Sequence, residues 1–74
     1  MIKITIHTPY ITLGQFLKYA GIIDSGALAK LFLAENRIIV NGEDENRRGK
    51  KIYNLDTVNV LGKVYQILSV EEQC

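Results

Sequence analysis

Arg37-Ile-Ile-Val-Asn-Gly42 joins a strand to a turn within six residues. Three β-branched residues in succession read as a short strand. Asn41-Gly42 directly after them is the strongest short signal for a tight reversal, because both residues accept positive φ. The polar run from Glu43 to Lys51 suits an exposed return segment and loop better than a buried element. Beyond it, Lys51-Ile-Tyr53, Thr57-Val-Asn-Val60 and Val64-Tyr-Gln-Ile-Leu68 alternate apolar with polar residues at the strand period of two. Leu61-Gly62-Lys63 is expected to turn the chain between the last two. From Arg37 onward the chain therefore reads as β.

Upstream of that strand the period changes. Asn36 can take a left-handed stop, ending a helix that runs from Gly26 to about Glu35 and is capped by Asp24 or Ser25. Leu28, Leu31 and Phe32 give this helix its expected apolar stripe, with Lys30 off it. Further back, Thr12 with Gln15 three residues later is a capping-box spacing. Leu13, Phe16, Leu17 and Ala20 then share one face of a helix of about two turns that stops at Gly21. Ile2, Ile4 and Ile6 alternate with polar residues as a strand with one buried face, ended by Pro9. The expected class is α+β, with two short helices packed against a small, mainly antiparallel sheet.

Seventy-four residues hold one hydrophobic core, so residues 1–74 are expected to form a single domain. A hydrophobic content of 47% argues against intrinsic disorder. The only cysteine, Cys74, cannot form an internal disulfide, which agrees with a reducing compartment. Met1 to His7 has neither the apolar run of a signal peptide nor the length of a membrane span, so the expected location is cytoplasmic. Glu71 to Cys74 is expected to fray.

The net charge of +1 conceals a segregated pattern. Arg47, Arg48, Lys50 and Lys51 fall within five residues, while Glu43, Asp44 and Glu45 precede them and Glu71 and Glu72 lie near the end. Such segregation permits a local positive potential on a nearly neutral protein, and a polyanion responds to local potential. Catalysis finds no reacting group: His7 is the sole histidine, and no Ser/His/acid order, carboxylate motif or phosphate-cradling glycine loop occurs. No Cys/His cluster has metal-ligand spacing, and the acidic run beside four cations reads as charge balance. Neither cofactor nor small-molecule substrate is expected. Tyr10, Tyr19, Tyr53 and Tyr65 are scattered among helix and strand positions and read as core or rim packing.

The segment from Thr12 to Val60 resembles the S-four RNA-binding domain family, named for the fourth protein of the small ribosomal subunit. The resemblance rests on Leu13-Gly-Gln-Phe-Leu-Lys18, Asp24-Ser25 with Ala29-Lys30, Arg37-Ile-Ile-Val-Asn-Gly42 and Leu55-Asp56-Thr-Val58. Asp24-Ser-Gly26, Ala29-Lys30, Ala34-Glu35, and Glu45 followed by Arg47-Arg48 and Lys50-Lys51 are similar to the stand-alone bacterial YaaA/YbcJ group. The resemblance implies a non-catalytic module whose helices and post-turn loop dock a basic face on structured RNA. By family analogy that RNA is ribosomal RNA or a ribosome-assembly intermediate, with the ribosome or a pre-ribosomal particle as partner. The family pattern is departed from at two places: Gly26 and Ala27 stand where Arg or Lys usually follows the capping Ser, and Leu55-Asp56 stands for the usual Gly-Asp.

The positive charge has moved into the 47–51 loop, so Arg47, Arg48, Lys50 and Lys51 lead the candidate RNA-binding residues, followed by Lys30, Lys18 and Arg37. Arginines offer planar donors that can hold an oxygen pair, and lysines act as point charges. Arg37 also has Glu35 and Glu45 as potential ion-pair partners. Asn41, Ser25 and Gln15 read as turn and cap devices before they read as RNA contacts. The alternative reading is a protein-interaction module that keeps the fold and uses its segregated charge to bind a protein.

Overall fold

Thr12 starts the first helix as the spacing requires. In the computed structural model, which describes residues 1–70, the Gln15 amide donates to Thr12 Oγ1 (3.3 Å) and the Thr12 amide donates to Gln15 Oε1 (3.1 Å). Helix α1 spans Leu13–Tyr19 and buries Leu13, Gly14, Phe16 and Leu17. Gly21, at φ 76°, ends the turn after it.

The second helix departs from expectation in its phase. Gly26–Leu28 forms a 3₁₀ turn, and α2 begins only at Ala29, spanning Ala29–Glu35. A 3₁₀ turn advances about 3.0 residues per turn against 3.6 in the α form, so the face presented inward rotates. Ala29 and Leu33 are buried and Phe32 half-buried, whereas Leu28 is 42% and Leu31 58% exposed. The expected Leu28–Leu31 stripe therefore faces outward. Ser25 sits at the N-cap in extended conformation with no side-chain cap bond, so neither it nor Asp24 caps as expected. Asn36 is extended (φ −131°), not left-handed, and stops the helix by donating from both its amide and Nδ2 to the Phe32 carbonyl.

The β half follows the turn signals. Strand β3 (Ile38–Val40) reverses at Asn41 (φ 52°) and Gly42 (φ 85°) into a two-residue strand β4, Glu43–Asp44, so the return segment starts as an edge strand and not as loop. Asn41 is also a lock. Its Nδ2 donates to Asp56 Oδ1 (3.0 Å), its Oδ1 accepts from the Thr57 amide (2.9 Å), and Asp56 Oδ2 accepts from the Tyr53 amide (2.8 Å). Leu55 is held at φ 70°, a conformation in which the glycine usual to the family pattern is unstrained.

Strands β6 (Thr57–Val60) and β7 (Lys63–Ser69) are joined through Leu61 and Gly62 alone, since Lys63 already pairs with Val60. With β1 (Ile2–Ile6) parallel to β7, the main sheet has the order β1-β7-β6-β3-β4. The alternation in β1 is real, but as an edge strand it buries fully only Ile6, while Ile4 is half-buried and Ile2 exposed. A second, two-stranded sheet pairs β2 (Tyr10–Thr12) with β5 (Lys51–Tyr53) in antiparallel register, Ile11 opposite Ile52. Strand β2 was not expected after Pro9.

Both sheets and both helices close over one core in which Phe16, Leu13, Leu17, Ile38, Ile52, Ile67, Val58 and Val60 are fully buried. Tyr65 packs edge-on against Phe16 at 5.3 Å between centroids, as core packing predicts. Among the described residues no helix is long and apolar enough to cross a membrane. The expected fraying of residues 71–74 lies outside the described residues.

Leu61 occupies a left-handed position (φ 53°) while 63% exposed, so its side chain contributes little packing and its backbone carries strain. Asparagine tolerates this conformation and leads the first position of such two-residue turns. Leu61→Asn is expected to stabilise the domain by about 0.5–1 kcal/mol, read as a rise of a few degrees in the thermal midpoint.

Candidate functional site

The basic loop is fastened to the start of α1. Leu13 donates its amide to the Lys50 carbonyl (2.8 Å) and Gly14 donates to the Arg48 carbonyl (2.9 Å), which satisfies two helix-terminal donors that no helical carbonyl can reach. The loop passes Gly14 at van der Waals distance from where a Cβ would stand. A Cβ at this position would stand 3.4 Å from Arg48 Cβ, 3.4 Å from its carbonyl oxygen and 3.5 Å from Ala29 Cβ. Helix α1, the start of α2 and the loop thus converge on one atom's width.

This convergence brings Lys18 and Arg48 to a common open cleft of about 340 Å³, lined also by Thr12, Gln15, Gly26 and Ala29. Arg47, Lys50 and Lys51 line a second depression with Gly49 and Tyr53. Among the described residues, Lys18, Arg48, Lys50 and Lys51 make no ion pair, although Lys50 and Lys51 also line a depression with Glu43, Glu45 and Asp56. Two of the seven candidate cations stand outside both clefts. Lys30 is exposed on α2 without lining either. Arg37 is engaged by Asp44, with Nε donating to Oδ1 at 2.6 Å and Nη2 to Oδ2 at 3.4 Å. Its partner is thus across the Asn41-Gly42 hairpin, and neither Glu35 nor Glu45.

Glu45 takes Arg47 instead. Its side chain, 11% exposed, accepts from Arg47 Nε (2.9 Å), Nη2 (3.2 Å) and the Arg47 amide (3.1 Å). These bonds hold the Glu45 carboxyl at about 2, the guanidinium contributing most, with the Arg47 amide, the Arg47 charge and Lys50 acting in the same direction against partial burial. Arg47 therefore braces the loop and presents only part of its donor fork outward. A carboxyl whose folded value lies below its ordinary 4.5 binds its proton more readily when unfolded, so its contribution is full above about pH 4.5 and is lost as pH falls through about 2. The Arg47 amide and Nε resonances are expected to titrate together near pH 2, and to lose that transition in Glu45→Gln.

Beside the loop lies an aromatic pair not foreseen in the sequence. Tyr10 and Tyr53 face each other across β2 and β5 with ring centroids 5.6 Å apart, and Lys51 Nζ lies 5.0 Å from the Tyr10 centroid. Both rings are exposed, not core packing. Recognising β2 would have revealed the pair, since its register sets Tyr10 opposite Tyr53. Among the described residues no group of three or more His, Cys, Asp or Glu side chains could hold a metal ion.

A family model described as "S4 domain" matches residues 4–68. The chain is 54% identical over 59 residues to a Bacillus subtilis (strain 168) protein named "Probable ribosome maturation protein RlbA", covering 80% of this chain and 83% of that one. It is 36% identical over 61 residues to an Escherichia coli (strain K12) protein named "Putative RNA-binding protein YbcJ", covering 82% of this chain and 87% of the relative.

Proposed function

The chain belongs to the S4 domain family, and on that premise we propose that it is a non-catalytic module that binds structured RNA through Lys18, Arg48 and the 47–51 loop. The observation that carries this reading is the fastening of the loop to α1, which brings Lys18 and Arg48, distant in sequence, into one cleft while Arg47, Lys50 and Lys51 line another on the same loop. Phosphates meet Lys18, Arg48, Lys50 and Lys51, and Arg47 adds what Glu45 leaves free. Double-helical RNA offers side chains its backbone and 2′-hydroxyls more than its base edges, so an open basic surface suits recognition by shape. The RNA is ribosomal RNA or a ribosome-assembly intermediate, met in the cytoplasm. The name of the Bacillus subtilis relative supports the ribosomal part of that reading, and the name of the Escherichia coli relative supports RNA binding. Arg37, committed to Asp44, and Lys30, outside both clefts, play lesser parts.

A salt titration of binding to a structured ribosomal RNA fragment tests the proposal. Four phosphate contacts give a log–log slope of about −3 to −4. Binding that is absent, or insensitive to salt, would refute it. The same titration has an informative gain-of-charge arm. Gly26 lines the Lys18–Arg48 cleft, and nothing lies within 4 Å of where its Cβ would stand. Gly26→Lys restores a cation at the family's usual place and is expected to tighten binding about 3- to 10-fold and steepen the slope by about 1.

One observation favours the second reading, a protein partner. Leu28 and Leu31 face outward beside the half-buried Ile22 and Phe32, an apolar patch apart from the cations. If that patch were the main interface, charge changes in the loop would leave partner binding intact.

A further inference from the structure

We propose that the groove between the 7–10 turn and α1 seats a single unpaired nucleotide of the bound RNA, its base against the rings of Tyr19 and Tyr10 and its phosphate on Lys18. This rests on the RNA-binding reading above and adds to it a preference for RNA with an extruded base. The groove is open, has a volume of about 840 Å³, and is lined by residues that include Ile6, His7, Pro9, Tyr10, Lys18 and Tyr19. That volume lies in the range of about 300–1,000 Å³ usual for sites that take small organic ligands.

Three features point to a nucleotide as occupant. The first is chemical: the lining is apolar and aromatic, Lys18 is its one charged side chain, and no carboxylate is present to repel a phosphate. Aromatic faces beside a cation are how unpaired bases are held by stacking together with charge. The second is rigidity. Tyr19 is 58% exposed, yet its hydroxyl donates to the Thr5 carbonyl (3.0 Å), which fixes the ring as a wall. The facing turn is fixed as well, since Thr8 Oγ1 donates to the Tyr10 carbonyl (2.8 Å) and Ser69 Oγ donates to the Thr8 carbonyl (2.6 Å). Walls already in place need no ordering when a ligand enters.

The third feature is continuity with the proposed phosphate-binding surface. Gln15 and Lys18 border both this groove and the Arg48 cleft, so they form the ridge between the two. On the far side, Tyr10 touches the groove and also lies under Lys51 and beside Tyr53. A base extruded from a helix whose backbone lies along the basic loop would therefore meet the groove without leaving the cationic surface.

The test compares a fully paired RNA hairpin with the same hairpin carrying one unpaired 2-aminopurine. The wild type is expected to bind the bulged hairpin about 10-fold more tightly, with 2-aminopurine fluorescence quenched on binding. Tyr19→Leu is expected to abolish the preference and the quenching while leaving affinity for the paired hairpin unchanged. Tyr19→Phe, which keeps the ring, is expected to retain most of both. Equal affinity of the wild type for the two hairpins, or a preference that survives Tyr19→Leu, would overturn the proposal while leaving RNA binding intact. Failure to bind either hairpin would overturn this inference together with the RNA-binding reading.

Discussion

Changing Arg47, Arg48, Lys50 and Lys51 together to alanine is expected to weaken binding to structured RNA about 100-fold at about 0.15 M salt and to flatten the log–log salt slope by about 2 to 3. The number of charges removed is four, but the electrostatic loss is nearer three. Arg47 is already bonded to Glu45 through Nε and Nη2, whereas Arg48, Lys50 and Lys51 make no ion pair among the described residues. Each free cation that neutralises a phosphate contributes about 0.7–0.9 to the slope, which at this salt amounts to several-fold in affinity. The fold survives the substitution, because the backbone bonds from the Arg48 and Lys50 carbonyls to α1 remain, and the loss of the Arg47–Glu45 brace is met in part by the residue 47 amide, which still donates to Glu45. Circular dichroism should therefore be unchanged. Arg37→Ala, which removes a cation already bound by Asp44, should change affinity less than about 3-fold. If Arg37→Ala matches the loop variant, the cation surface has been placed on the wrong side of the molecule.

The elements legible in the sequence are those specified by neighbours along the chain. The Thr12–Gln15 capping box and the Asn41-Gly42 reversal depend on two to four residues and form as read, and the turn expected at Leu61-Gly62-Lys63 forms one residue shorter, with Lys63 already in β7. Strand β2 does not have that local signal. Tyr10-Ile-Thr12 is three residues between a proline and a helix cap, and it becomes a strand only because β5 lies beside it. The phase of α2 was lost for a related reason. Leu28 and Leu31 are the more hydrophobic residues, yet the close approach to Gly14 admits only a methyl, so Ala29 faces inward. Packing decides there against local pattern.

The candidate site was legible as a list of cations and illegible as an arrangement. That Lys18 would meet Arg48 follows from hydrogen bonds between segments more than thirty residues apart. The Arg37–Asp44 pair, by contrast, was within reach of the sequence. The hairpin register sets Ile39 opposite Asp44, which places Asp44 diagonally across from residue 37 on the same face. The aromatic pair at Tyr10 and Tyr53 was missed only because β2 was missed.

Gly14→Leu is expected to weaken folding and RNA binding together. A Cβ at position 14 just fits, with its nearest neighbours at 3.4 Å, so Gly14→Ala should remain folded and bind RNA within about 2-fold of wild type. A leucine adds three carbons beyond a Cβ that already stands 3.4 Å from Arg48 and 3.5 Å from Ala29, so it presses on the loop that the Leu13–Lys50 and Gly14–Arg48 bonds hold in place. Overpacking of this kind costs about 1–3 kcal/mol, which for a domain of this size lowers the thermal midpoint by roughly 5–20 °C. At a temperature where the variant is still folded, the displaced loop no longer holds Arg48 beside Lys18, and affinity should fall by at least about 10-fold although no charge has been changed. Urea unfolding and RNA titration on the same sample separate the two effects. A Gly14→Leu protein that is destabilised but binds RNA like the wild type would mean that the loop reaches RNA without being fastened to α1, and the geometry assigned to the Lys18–Arg48 cleft would have to be abandoned.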